Sequence, residues 1–337
     1  MSPKVSVIIP VFNAEEYVGE CLDSVISQTI GDIEIIVVND GSTDNSIQII
    51  REYEKSDYRI VVIDKENEGA GPSRNKGIQV AKGEFLAFLD ADDFYPSNNV
   101  LEELYNAACS ENVKIAGGKR VRLMENGEFK YDPDVISVYG EKISASGKMN
   151  YTEFQYDYGY QHYIYDRTMI IDNAITFPDY RRFQDPPFFV KAMIASSSFY
   201  FVDSYTYCYR RTFQEKYSEM KWTMPKAIDM IKGMTENLEL SRKNSLAKLH
   251  YITANRINHE GSYVAIRNFD NKEIDELLYL LIKANQTVDV KWLNQNGYNI
   301  TDPFVLSVFK YAVDTTNKYE KLRNKKILKP LKRIVRK

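Results

Sequence analysis

Cysteine is scarce in this chain of 337 residues: three occur, at 21, 109 and 208, and no two fall at a Cys-x-x-Cys spacing. An odd, scattered set supplies neither a disulfide framework nor a thiolate zinc cage, and it suits a reducing compartment. Histidine is equally rare, and positions 162, 250 and 259 are too far apart in sequence for an imidazole metal cage. Long apolar runs are missing too. No stretch approaches the roughly 18 residues of a spanning helix, so insertion across a membrane is not expected. The opening run Val5–Phe12 has no basic segment before it and reads as a buried strand, not a secretory leader.

An apolar share of 44%, a charged share of 27% and an aromatic share of 13% exclude a mainly disordered, collagen-like or coiled-coil chain. The length allows one large domain or two modest ones. A formal net charge of -3 hides an asymmetry, because residues 318–337 hold ten Lys or Arg against one Glu while the rest of the chain is acidic. An acidic body speaks against nucleic acid as a partner, since such enzymes surround their site with basic surface. In the tail, Ile327, Leu328, Leu331, Ile334 and Val335 recur at helical spacing opposite the cations, with Pro330 as an interruption. That pattern suits peripheral contact with an anionic membrane and a place in the cytoplasm at the inner face of the cell membrane.

From residue 1 to 123, short β-branched runs alternate with amphipathic stretches. The pattern predicts strands over Val5–Pro10, Ile33–Asn39, Ile60–Asp64, Phe85–Leu89 and Val113–Gly117. It predicts helices over Glu15–Gln28, Asn45–Lys55, Ser73–Ala81 and Asn98–Glu111. Such repetition implies a Rossmann-like α/β fold, a mainly parallel sheet with helices on both faces, and ligands beyond the carboxyl ends of its strands. Residues 124–165 change character. Tyrosines at 151, 156, 158, 160, 163 and 165 mark a connecting or lid region, its rings used for packing or for stacking on an acceptor. A helix near Arg167–Asn173, a loop through Phe177–Gln184, a helix from Pro186 and short strands near Phe199–Val202 and Thr206–Tyr209 follow; beyond Trp222 the pattern is helical.

Polar residues follow each predicted strand of the first half. Asp90-Ala91-Asp92-Asp93 places three carboxylates within four residues of a buried strand. Mg²⁺ or Mn²⁺ takes carboxylate oxygens, and one held by one or two of these would grip a pyrophosphate; the other reading is an acidic turn capping the next helix. Asp40, at the next strand end, is placed to accept from a base or ribose, and Asp44 to cap the helix after it. Gly69-Ala70-Gly71-Pro72-Ser73-Arg74 has the glycine spacing of a phosphate loop but ends on Arg, which weakens any nicotinamide fingerprint.

Pro10–Asn13, Val37–Asp44, Ser73–Gly77 and Ala81–Asp93, in that order, resemble the family 2 glycosyltransferases of the GT-A fold, and the likeness spans about residues 4–212. It implies a nucleotide-sugar donor, with UDP favoured, and inverting transfer of a hexose or N-acetylhexosamine to a hydroxyl of a surface glycan or lipid-linked glycan. It implies Mn²⁺ or Mg²⁺ on Asp92 and Asp90. The donor-binding set it implies is Pro10, Phe12, Asn13, Glu16, Asp40, Gly41, Arg74, Asn75, Asp90, Ala91, Asp92 and Arg210. Phe177–Phe189 is similar to the family's second half, with Gln184 where Glu is commoner and Asp185 as the general base. Capping of the helix that Pro186 starts is the other reading of Asp185. Tyr205–Arg211 resembles the family's aromatic and arginine strand, which would turn Arg210 to a leaving diphosphate.

The organisation expected is a GT-A domain over 1–215, with a nucleotide-sugar half at 1–123 and an acceptor and catalytic-base half at 124–215, then a helical subdomain at 216–317 and the basic tail at 318–337. Two other classes stay open. A sugar-phosphate nucleotidyltransferase also needs paired metal carboxylates, but would carry a Gly-rich basic loop where Val11–Glu16 stands. A non-catalytic relative that only binds a nucleotide sugar is disfavoured by the intact Asp90, Asp92 and Asp185.

Overall fold

The computed structural model describes residues 2–131, 145–210, 222–261 and 271–300, so the basic segment 318–337 lies outside the described residues. The chain divides into two units, Met1–Lys221 and Trp222–Lys337.

The first unit is built on one nine-stranded sheet. Strands β1 (Val5–Val11), β2 (Ile33–Asp40), β3 (Ile60–Lys65) and β4 (Phe85–Phe88) alternate with helices α1 (Val18–Ile26), α2 (Ser46–Ser56) and α3 (Ala70–Val80), and α4 (Val100–Ser110) follows β4. Their order is β3-β2-β1-β4, all parallel. β1 and β2 are buried along their whole length, as unbroken Val/Ile runs covered on both faces must be. On one face Val5, Val7, Ile9 and Val11 share a core with Val18 and Leu22 of α1 and Ile50 of α2. On the other, Ile8 meets α3 at Gly77, where an added Cβ would collide with the Ile8 side chain.

The second half departs from the predicted mainly parallel arrangement. It contributes β5 (Ile115–Leu123), β6 (Phe129–Tyr131), β7 (Gly147–Asn150), β8 (Tyr163–Asp166) and β9 (Ser198–Arg210). β8 inserts antiparallel between β4 and β5. β9 pairs parallel with β5, while β6 and β7 add antiparallel edges to β5 and β9. β9 is one strand of 13 residues, where the pattern predicts two short ones. Since β8 opposes both neighbours, β5 and β9 run in the same sense as β4. The carboxyl ends of β1, β2, β4, β5 and β9 therefore share one edge.

Five of the tyrosines, 151, 156, 160, 163 and 165, are buried in the core and form no lid. Phe88 has the rings of Tyr160, Tyr165, Phe177 and Phe188 within 5.8 Å between centroids. Four of the phenols are satisfied locally: Tyr151 donates to the Tyr156 carbonyl at 2.8 Å, Tyr165 to the Tyr160 carbonyl at 2.6 Å, and the Tyr156 and Tyr163 hydroxyls bond each other at 2.5 Å, while the Tyr160 hydroxyl meets no partner among the described residues. Gly117 of β5 lies so close to Tyr163 that a Cβ would fall within the ring. Gly117→Ala is expected to destabilise this unit by about 3 kcal/mol through overpacking. A urea midpoint equal to that of the native protein would show that Tyr163 can move aside.

The second unit holds helices over Met224–Lys243, Ala247–Arg256, Asn271–Gln286 and Val290–Gln295. No helix among the described residues is long and apolar enough to cross a membrane. His250 is structural, its Nδ1–H donating to the Leu238 carbonyl at 3.0 Å and its Nε2 accepting the Asp289 N–H at 3.1 Å.

Candidate active site

The carboxyl edge of the sheet carries a cleft of 570 Å³. Pro10, Phe12, Asn13, Glu16, Asp40, Arg74, Asp90, Ala91 and Asp92 line it, joined by Val11, Ala14, Glu15, Tyr17, Asp44 and Ala70. Gly41, Asn75 and Arg210 are not in its wall, and Asp185 lines a separate cavity.

Hydrogen bonds stitch the loops after β1 and β2 into one rim. Asn13 adopts the left-handed conformation at φ 49°, a region asparagine tolerates, and its Oδ1 accepts the Thr43 N–H at 2.8 Å. Asp44 accepts the N–H groups of Glu15 and Ser46, each at 3.0 Å, while Glu15 accepts the Asn45 N–H at 2.9 Å. Asp44 thus ties two loops together, and the N-cap position of α2 belongs to Asn45.

Asp40 is buried at the end of β2, with Lys65 Nζ at 2.5 Å, the Glu68 N–H at 3.0 Å and the Gly69 N–H at 2.8 Å. Burial pushes its pKa up, but these donors outweigh it and hold the carboxyl below its usual range. Gly41 serves the turn through its backbone: its φ is +70° and a Cβ would lie 2.9 Å from the Asn67 nitrogen. Asn75 is a strap, giving its Nδ2–H to the Phe177 carbonyl at 2.7 Å and accepting the Phe177 N–H at 2.9 Å. It fixes α3 to the segment that leads into α5 (Asp185–Ser196).

The three carboxylates after β4 have separate surroundings. Asp90 is paired with Arg74 Nη2 at 2.6 Å and accepts from Gln161 Nε2 at 3.1 Å. Arg74 is itself buried, its guanidinium 5.3 Å from the ring centroids of Tyr160 and Phe177, and its Nε and Nη1 meet no hydrogen-bond partner among the described residues. Asp93 is structural, holding the Tyr207 hydroxyl at 2.5 Å and the Arg210 N–H at 2.7 Å. No ion pair reaches Asp92 among the described residues, and burial, reinforced by Asp90, pushes its pKa up. A half-buried carboxylate with a like charge beside it fits a hard cation. Among the described residues no cluster of three or more ligating side chains accompanies it. A cation here would thus take Asp92 and Asp90 and complete its shell with diphosphate oxygens and water.

Arg210 clamps this turn. Its Nε donates to the Asp92 carbonyl at 2.9 Å, its Nη2 pairs with Glu20, and its guanidinium lies 5.3 Å from the Tyr17 ring centroid. The polar contacts of Arg210 among the described residues are with the Asp90–Asp93 turn and Glu20.

The second cavity, 290 Å³, is lined by Arg120, Arg122, Tyr158, Gly159, Gln161, His162, Asp185, Tyr207 and Tyr209. Gln161 and Tyr207 also reach the Asp90 turn, so the two hollows share a wall. Asp185 is the first residue of α5 and half-buried; the cap position falls to Gln184. Burial raises the Asp185 pKa, with Arg74 opposing the shift and Asp90 adding to it. His162, which the sequence does not single out as a site residue, stands in this wall. Burial and then Arg120 hold its imidazole well below the usual range, so it is neutral. Arg120 and Arg122 are missed by sequence pattern, their only signal being the alternation Arg120-Val121-Arg122-Leu123.

Known proteins agree with this geometry. The family model described as Glycosyl transferase family 2 matches residues 6–173. The glycosyltransferase GlyG of Streptococcus pneumoniae serotype 4 is 31% identical over 217 residues, covering 63% of this chain and 72% of GlyG. EpsH of Bacillus subtilis is 34% identical over 217 residues, which is 62% of this chain, and the chain spans 61% of the length of EpsH. The crystal structure of S. aureus TarS 1-349 in complex with UDP-GlcNAc shares the fold, with a TM-score of 0.68 at 21% identity, covering 86% of this chain and 82% of that one. A GT-A-like mixed sheet, the acidic turn at its carboxyl edge and these matches agree: the chain belongs to glycosyl transferase family 2.

Proposed function

We propose that the chain transfers a hexose or N-acetylhexosamine from a UDP-sugar to a hydroxyl of a surface glycan or lipid-linked glycan, with inversion. The observation that carries this reading is the shared wall between the Asp90–Asp92 cleft and the Asp185 cavity. A donor in the first hollow and an acceptor in the second would meet there. The bound UDP-GlcNAc of the structurally similar TarS supports a UDP-sugar donor.

Asp40, in the cleft wall with β1 between its own strand and the one that leads to the acidic turn, accepts the uracil ring N–H in this reading. Asp92 and Asp90 would hold Mn²⁺ or Mg²⁺, which would offset the charge of the leaving diphosphate. Arg74 holds Asp90 in place beside them. Asp185 takes the proton of the acceptor hydroxyl as its oxygen bonds to C1 and the C1–O bond to the diphosphate breaks. One displacement with one base inverts the anomeric centre. Residues 318–337 bring the enzyme to the cytoplasmic face of an anionic membrane through charge and a short apolar stripe.

Calorimetry in Mn²⁺ tests the donor assignment: UDP is expected to bind at least about tenfold more tightly than CDP or GDP, and UDP-GlcNAc to be slowly hydrolysed. Equal affinity for the three nucleotides in the native protein would reject the uracil reading of Asp40.

A further inference from the structure

The second cavity carries more cationic chemistry than a neutral sugar hydroxyl requires. Its floor is one face of the sheet: Arg120 and Arg122 of β5 stand two positions apart, in register with Tyr207 and Tyr209 of β9. Their roots are about 7 Å apart along the strand, near enough for two long side chains to converge on one tetrahedral phosphate. A planar carboxylate, by contrast, is matched by a single guanidinium fork. Asp185 lines the same cavity, so an anion seated on the floor lies beside the group that would deprotonate a hydroxyl. Neutral His162 and Gln161 provide uncharged hydrogen-bonding groups in the wall.

We propose that this cavity is the acceptor subsite and that it selects an acceptor carrying a phosphate next to the attacking hydroxyl, with the phosphate on Arg120 and Arg122 and the hydroxyl directed to Asp185. The inference rests on the glycosyltransferase reading above and adds the chemical class of the acceptor.

Glycerol 3-phosphate, glycerol, glucuronate and glucose are titrated in EDTA into the native full chain, Arg120→Gln/Arg122→Gln, Arg120→Lys/Arg122→Lys and Asp185→Asn. Melting temperature reports folding, and the single Gln variants serve if the pair does not fold. Glycerol 3-phosphate is expected to bind at least about tenfold more tightly than glycerol or glucuronate, consistent with charge-assisted bonds to two guanidinium groups. The Gln pair should lose that preference, and the Lys pair should keep part of it, because charge persists without the fork. Asp185→Asn should tighten phosphate binding by removing a repelling carboxylate. Equal binding of glycerol 3-phosphate and glycerol overturns the proposal; a preference for glucuronate overturns it in favour of a carboxylate acceptor. A phosphate preference that survives in the Gln pair removes these arginines from the subsite. UDP-sugar turnover by the native protein is read apart from these titrations. Turnover without a phosphate preference removes the subsite alone, whereas absence of both turnover and UDP binding removes the donor reading and the acceptor assignment with it.

Discussion

Asp185→Asn is expected to lower sugar transfer by about 10²-fold or more while UDP affinity in Mn²⁺ stays unchanged, because Asn keeps the shape of the side chain and cannot accept a proton. The cavity location of the carboxylate, apart from the donor cleft, is what separates the two effects. The sign of the pH dependence follows from its surroundings. Burial raises its pKa, and only the ionised form serves as base, so transfer should fall as pH drops through a value above the ordinary carboxylate range. That limb should vanish in the Asn variant. NMR of the product should show inversion; retention of configuration would overturn both the single displacement and the role of Asp185.

Asp92→Asn should abolish the metal dependence of UDP binding, with a loss of at least about tenfold in Mn²⁺. It should also raise the melting temperature of the metal-free protein near neutral pH. The Asp92 carboxyl has a raised pKa in the folded state, so its contribution to stability is present below the unfolded value and lost as pH rises through the folded one. Asn mimics the neutral form and removes that penalty. Mn²⁺ should then stabilise the native protein against heat and leave the variant unmoved. A variant whose UDP affinity still rises with Mn²⁺ would place the cation on other groups.

Much of the cleft at the carboxyl edge is legible in the sequence because parallel strands with both faces covered read as unbroken Val/Ile runs, and whatever follows them stands at one edge. Asp40, Asp90 and Asp92 are found in this way. Arg120 and Arg122 are not, because the hydrophobic signal of β5 stops at Gly117 while the strand continues to Leu123. Its extension depends on pairing with β9, which lies far away in sequence. β8 is hidden for a similar reason: Tyr-Ile-Tyr-Asp is short, tyrosine-rich and set in a run of tyrosines. Arg210 and Asn75 have the right residue types, yet their partners, Glu20 and the Phe177 backbone, come from remote segments that no local pattern reveals.

The late strand between β4 and β5 also limits how such a protein can be recombined. A graft that exchanged everything after residue 124 would carry off Tyr163–Asp166, the neighbour of Phe85–Ala87, and expose the inner edge of β4 to other chains. A transplant meant to change acceptor preference therefore has to bring a strand that fits the recipient's β4, or else start after Asp166. Point changes at positions such as 120, 122 and 158 escape that constraint. If the cavity they line is the acceptor subsite proposed above, they offer a route to new acceptors that leaves the backbone ladder whole.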